Sequence, residues 1–258
     1  MAPDDISNYR DVESLAGRVS DAEWAARVDL AAVYRLVRRD GWNGSILNHC
    51  SMRVPDEPDK FLIKAHVVDW DEVKASNLVK VDMNAELDEG AGVNRPGFVL
   101  HSAIMRGRAD VNCVVHIHPE PCIAVGATRD GLLPISQNAL QFYGRLGYHE
   151  YEGITEDAGE RDRIVEHLGD NIALLMRNHG ATTVGPEARH AYNRMRNLIA
   201  ACQIQLAVQA TGAEPVMVPP EICEKAVKQF ASHDAGRGRD DWSGYLREID
   251  RIDPTYRD

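Results

Sequence analysis

The 258-residue sequence predicts a single α/β domain. Three observations carry this. Short apolar stretches with strand character gather in the middle of the chain, segments with helical periodicity stand at both ends, and neither an internal repeat nor a linker long enough to separate domains occurs. The domain is expected to span 1–258, with a polar N-terminal extension at 1–20 and a C-terminal tail at 232–258.

Residues 22–40 place Trp24, Val28, Leu30, Ala31, Tyr34, Leu36 and Val37 on a broad helical stripe, with Asp21 as N-cap and Gly41 as stop. Strand character follows around 45–54, 61–64 and 78–81, broken by Pro, Asp and Gly clusters that suit turns, so an antiparallel meander is expected. After Pro96, a favoured helix-start residue, 97–106 reads as a short helix and 112–118 as a buried strand. A helix over 156–168 leads to the apolar run 172–176, a second buried strand, with 181–184 as its hairpin partner. The longest helix falls within 186–212, where Ala191, Met195, Leu198, Ile199, Cys202 and Leu206 share helical spacing, and another covers 219–230. The tail holds a short helical piece with Trp242 and Tyr245.

Forty acidic residues against 29 basic ones give a net charge of -11, which disfavours nucleic acid and anionic lipid as partners. The five cysteines are scattered, odd in number and never spaced as a CxxC pair. Neither a disulfide framework nor a thiolate metal site is suggested by that spacing, and a reducing cytoplasm fits best. The N-terminus is polar and acidic, and no run of about 18 apolar residues occurs, so a cytoplasmic protein without a membrane span is expected.

The segment Val114-Val115-His116-Ile117-His118-Pro119 is the most informative. Alternate side chains of a strand share a face, so the two imidazoles project together, and Pro119 ends the strand at a rim open to ligand. A second apolar strand ends at Asn178-His179-Gly180. Three neutral imidazoles with open coordination positions suit zinc, iron, manganese or cobalt and leave room for substrate.

These residues resemble the class II aldolase/adducin family. The resemblance covers roughly 22–230 and rests on Asn48 to Arg53, on Arg95-Pro96-Gly97-Phe98-Val99-Leu100-His101, on Val114 to His118 and on Arg177-Asn178-His179-Gly180. It implies a three-layer α/β/α fold with a central, mostly antiparallel sheet. It also implies one divalent metal ion, zinc before iron, manganese or cobalt, held by His116, His118 and His179. A homotetramer with active sites near subunit interfaces is implied as well.

Departures from the sugar-phosphate aldolases of that family redirect the expected chemistry. Their acid/base Glu is replaced by Gly97, and their tyrosine proton donor is matched by Asn138. Arg95-Pro96 and Ala65-His66-Val67 stand in place of phosphate-gripping Ser, Thr and Gly elements. The reading that results is a lyase, a decarboxylase or an aldolase, acting on a small hydroxy, keto or aromatic carboxylic acid chelated to the metal. Arg95, at a helix entrance, is expected to grip the carboxylate, His49 and His66 to lie in substrate loops, and His101 and Asn138 to serve the catalytic steps. Two alternatives use the same scaffold: a non-haem Fe(II) oxygenase on the three histidines, and a non-catalytic adducin-like interaction module.

Overall fold

A computed structural model describes residue 9 and residues 12–44, 46–85, 92–153, 158–234 and 241–258. Seven strands build its centre: β1 (His49–Val54), β2 (Glu57–Lys64), β3 (Leu78–Asp82), β4 (Cys113–Ile117), β5 (Leu146–His149), β6 (Ala173–Met176) and β7 (Gly180–Gly185). They form one sheet in the order β3-β2-β1-β4-β7-β6-β5. Every adjacent pair is antiparallel except β5 with β6. The expected meander is β1-β2-β3, and the expected partner of β6 is β7.

Helices cover both faces, which makes the fold three-layered. On one side lie α1 (Asp21–Arg39) and α6 (Ala188–Ala210), whose Leu30, Val37, Met195 and Leu198 pack with Cys113, Val115 and Ile117. On the other lie α2 (Arg95–Gly107) and α5 (Ala158–Leu168), whose Phe98, Ile104 and Ile164 pack with Val114, Leu174 and Val184. Period-two alternation along β4 therefore feeds both cores and turns His116 towards the α2 layer. The remaining helices are α3 (Glu120–Gly126), α4 (Gln137–Leu140), α7 (Pro220–Ser232) and α8 (Trp242–Ile252).

Several boundaries differ from expectation. Helix α1 is capped by Ser20, whose hydroxyl accepts from the Glu23 amide at 3.1 Å, so Asp21 is its first residue. An extended Ser20 with its oxygen over the first turn satisfies an orphan N–H, while Asp21 adds favourable charge beside the helix dipole. Ser45, the expected start of the first strand, and Glu156, the expected start of a helix, lie outside the described residues. Strand β5 and helices α3 and α4 are not foreseen in the sequence, being four to seven residues long with no periodicity to read. No helix among the described residues is long and apolar enough to cross a membrane.

Candidate metal centre and pocket

His116 is held within β4, and His118 follows the strand on the same face. His179 comes from the tight turn between β6 and β7, where Asn178 adopts a left-handed φ of 59° and the His179 amide donates to the Met176 carbonyl at 3.1 Å. Gly180 completes the approach. A Cβ there would meet His118 Cδ2 at 2.6 Å and the Ile117 carbonyl at 2.8 Å, so only glycine lets the His118 ring lie against β7. The three rings stand 4.6 to 5.1 Å apart between centroids, and one candidate ligand nitrogen from each lies within 4.8 Å of the others.

The contacts of His116 suit a ligand. Its Nδ1 donates to Thr182 Oγ1 at 2.9 Å, the Thr182 hydroxyl in turn pointing to Met176 Sδ at 3.7 Å. This assignment leaves Nε2 carrying the lone pair, 3.0 Å from His118 Nε2. Two nitrogens bound to one tetrahedral zinc would be about 3.3 Å apart, so the spacing fits a shared cation. All three rings are kept neutral. Burial pushes His118 down to about 4, helped by His179, and lowers His179. Burial and then His49 and the other imidazoles hold His116 well below the ordinary range.

A further group extends away from the cluster. His49 pairs with His116 across β1 and β4, and their rings stack at 5.2 Å. His49 Nδ1 lies 2.8 Å from His101 Nε2, and His101 Nδ1 bonds the Ser51 hydroxyl. The Gly97 backbone lies against the other side of the His49 ring: a Cβ at 97 would meet His49 Cδ2 at 2.6 Å and Nε2 at 2.8 Å. His49 thus fills the room that a side chain at position 97 would need. Burial holds His49 well below the usual range and His101 at about 3.

A cavity of 370 Å³ opens over this cluster, lined by His49, His116, His118 and His179 together with Leu47, Asn94, Pro96, Leu100, Tyr151 and Gly153. Its volume is that of a small-molecule site. The other expected site residues fall elsewhere. His101 is wholly buried behind His49, with both ring nitrogens engaged by protein groups. Arg95 is exposed at the start of α2, between the lining residues Asn94 and Pro96. His66 sits in the turn after β2, its amide donating to the Gly92 carbonyl at 2.7 Å. Asn138 donates to Asn197 Oδ1 at 3.2 Å on the α6 side of the sheet. None of these four lines the cavity. Tyr151, whose ring lies 6.3 Å from that of His179, is a lining residue missed from the sequence. Its signal was the HEYEG segment at 149–153, which only reads as a pocket rim once β5 is known to end at His149.

Residues 28–206 match the class II aldolase and adducin N-terminal domain family. A Caulobacter vibrioides protein, provisionally assigned as an aldolase class 2 protein, is 40% identical over 248 residues, 95% of this chain and 96% of that one. Rat alpha-adducin is 40% identical over 215 residues, but these cover 81% of this chain and only 29% of adducin. Among solved structures, an aldolase II superfamily protein from Pseudomonas syringae superposes with a TM-score of 0.86 at 42% identity, over 95% of this chain and all (100%) of that one. The chain belongs to the class II aldolase and adducin family.

Proposed function

We propose that this protein is a metal-dependent lyase that breaks a C–C bond, by decarboxylation or aldol cleavage, in a small hydroxy, keto or aromatic carboxylic acid. The observation that carries the reading is the set of three neutral imidazoles, their ligand nitrogens within 4.8 Å of one another, at the wall of a 370 Å³ cavity. His116, His118 and His179 would hold one divalent ion, zinc first, with iron, manganese or cobalt also suited to imidazole. When bound, such an ion supplies Lewis acidity that polarises a substrate oxygen and takes up charge as the bond breaks.

The chain's own residues account for the rest. Pro96 and Leu100 give the cavity apolar walls, and Leu47 and Tyr151 stand at its mouth. Arg95, exposed at the entrance to α2 between the lining residues Asn94 and Pro96, would meet a carboxylate reaching out of the cavity. His49 stands over Gly97, where the sugar-phosphate enzymes resembling this chain carry their Glu. Its Nδ1 is held by His101, so the ring presents Nε2 as its remaining hydrogen-bonding group. His101 and Ser51 act through His49, as positioning residues. Cleavage that releases carbon dioxide removes no proton from a substrate alcohol, which suits a pocket with no carboxylate among its described lining residues.

The site is expected near a subunit boundary in a homo-oligomer, a tetramer by the family resemblance. Ile46, Leu47 and Tyr151 support this, being large apolar side chains 37%, 54% and 56% exposed, two of them at the cavity mouth. Asn138, outside the cavity of its own chain, has a place in the reaction only at such a boundary. Five buried, unpaired cysteines fit a reducing cytoplasm.

The test is anaerobic purification with metal analysis, followed by a screen of small hydroxy, keto and aromatic acids for released carbon dioxide or aldehyde. One metal per chain, lost in His116→Ala together with turnover, is expected. A protein that purifies without stoichiometric metal would overturn the reading. The similarity to alpha-adducin favours a second one, an interaction module that needs no chemistry at the histidines. On that reading His116→Ala keeps every binding property of the parent.

A further inference from the structure

At the opposite end of β7 from the histidines, the strand leaves Gly185 through Pro186 and enters α6. A second cavity of 450 Å³ lies there, and its walls are charged. Arg145 reaches it from the residue before β5. This end of the sheet is tied together by the Ile172 amide donating to the Arg145 carbonyl at 3.1 Å and the Val184 amide donating to the Ile172 carbonyl at 3.1 Å. Arg189, His190 and Arg194 reach it from the first two turns of α6, with Glu187 at the N-cap, and Asp234 follows α7.

Among the described residues, three guanidinium groups thus face two carboxylates. Arg189 pairs with Glu187 at 2.5 Å, and Arg194 pairs with Asp234 at 2.8 Å while donating to the Val184 carbonyl at 2.5 Å. Arg145 has no carboxylate partner among the described residues, and its Nη1 is buried without a hydrogen bond. Arg194, 7% exposed, also has a buried Nε with no acceptor. His190, 6% exposed, engages the Asp234 carbonyl through Nε2 at 2.9 Å and leaves its buried Nδ1 without a hydrogen bond, 3.8 Å from Glu187 Oε2. Glu187 makes no side-chain capping bond at the start of the 23-residue helix α6, while its carbonyl accepts from the His190 and Ala191 amides at 3.1 and 3.4 Å.

Leaving buried guanidinium N–H groups unmet is costly, more so where a second cation stands beside them. The proximity shows in Arg145, which burial and then the charge of Arg194 push below the ordinary arginine range. Among the described residues, Arg145 Nη1 and Arg194 Nε have no acceptor, because Glu187 and Asp234 are engaged by Arg189 and Arg194.

We infer that the cavity between Arg145, Arg194 and the start of α6 is a binding site for a small oxyanion, a phosphate or carboxylate group, separate from the histidine pocket. The excess guanidinium neutralises the ligand, the fork geometry takes two oxygens, and the α6 dipole adds to both. Charge-assisted bonds to one such arginine are worth roughly a tenfold change in affinity or more.

The experiment uses the full chain. Inorganic phosphate and acetate are each titrated by calorimetry against wild type, Arg145→Gln and His116→Ala, with chloride at matched ionic strength as control. Saturable binding of one or both oxyanions is expected in wild type and in His116→Ala, weakened about tenfold or more in Arg145→Gln, with the preferred anion naming the head group. Hydrogen exchange on the unmodified protein locates the site even if Arg145→Gln fails to fold: added ligand should slow exchange at 186–194 and near 145. No saturable binding beyond chloride, or protection confined to the histidine turn at 176–180, would overturn the site. Loss of binding in His116→Ala would place the anion in the metal pocket and overturn it equally. None of these outcomes depends on whether the chain is a lyase.

Discussion

Placing a methyl group on Gly97 would bring it to 2.6 Å from His49 Cδ2 and 2.8 Å from Nε2, closer than side chains approach in real proteins. Helix propensity alone favours alanine over glycine by about 1 kcal/mol, whereas overpacking a buried contact costs about 1–3 kcal/mol, so the clash wins. Gly97→Ala is therefore expected to push His49 out of its seat, lower the melting midpoint and abolish most turnover while leaving metal content unchanged, which metal analysis beside a thermal melt would check. Thr182→Val probes the other side of the cluster. It keeps the shape and removes the acceptor for His116 Nδ1, leaving a buried N–H unmet and the ring free to turn. Outer-shell losses of this kind cost about tenfold to a hundredfold in metal affinity, readable by competition with a chelator. Unchanged affinity would remove His116 from the ligands. His116 and His118 were legible in the sequence because strand alternation puts them on one face, and His179 because it ends an apolar run. The seat of His49 was not, since it depends on a backbone contact with Gly97 that no local pattern encodes. His101 was legible as a residue facing the site but not as one hidden behind His49.

Strand β5 shows why some elements escape a reading of periodicity. It is four residues, Leu146–His149, with glycine second, too short for alternation to register and with a residue that usually marks a break. Its glycine is required by the helix that lies on it. A Cβ at Gly147 would meet the His167 carbonyl oxygen, at the end of α5, at 2.1 Å and Leu174 Cδ1 at 2.9 Å. A flexible side chain could move aside, but a backbone carbonyl cannot without shifting α5. Gly147→Ala should cost about 3 kcal/mol, at the upper end of overpacking penalties, and appear as a lower urea midpoint with an unchanged slope. Because β5 leads directly into Tyr151 at the cavity rim, the same variant should also weaken substrate binding. A variant as stable as the parent would mean that α5 does not rest on β5. The long elements behaved otherwise: α1 and α6 carried seven and six residues at helical spacing, the β6–β7 hairpin an apolar run bounded by turn residues, and their placement followed from the pattern.

At the scale of the whole molecule the buried imidazoles set how stability depends on pH. Burial holds His49 and His116 well below the ordinary value of 6.5, His101 at about 3 and His118 at about 4, and it lowers His149 and His179 as well. Unfolded, each of these rings takes up a proton near pH 6.5; folded, it does not. Their contribution to stability is therefore complete above 6.5 and is lost as pH falls from 6.5 towards the folded values, at up to about 1.4 kcal/mol per pH unit for each ring. Carboxylates depressed by cation partners act with the same sign in a lower window. Asp110, lowered from 3.8 by its Arg108 partner, loses its contribution only below that value. One effect opposes the histidines between pH 7 and 5: the net charge of -11 shrinks as the chain nears its isoelectric point of 5.4, relieving self-repulsion. At 0.15 M salt that repulsion is screened over about 8 Å and acts between exposed groups, whereas His49, His101, His116 and His149 are shielded from solvent, so the histidine term prevails. Chelator-treated protein should thus show a urea midpoint that falls steadily from pH 7 to pH 5, and a flat profile would mean that the rings are not buried as a neutral group. Added zinc sharpens the test. Its ligands must be unprotonated, so the extra stability it confers should be largest above pH 7 and should vanish together with the histidine term as the pH falls, while in His116→Ala it should be absent at every pH.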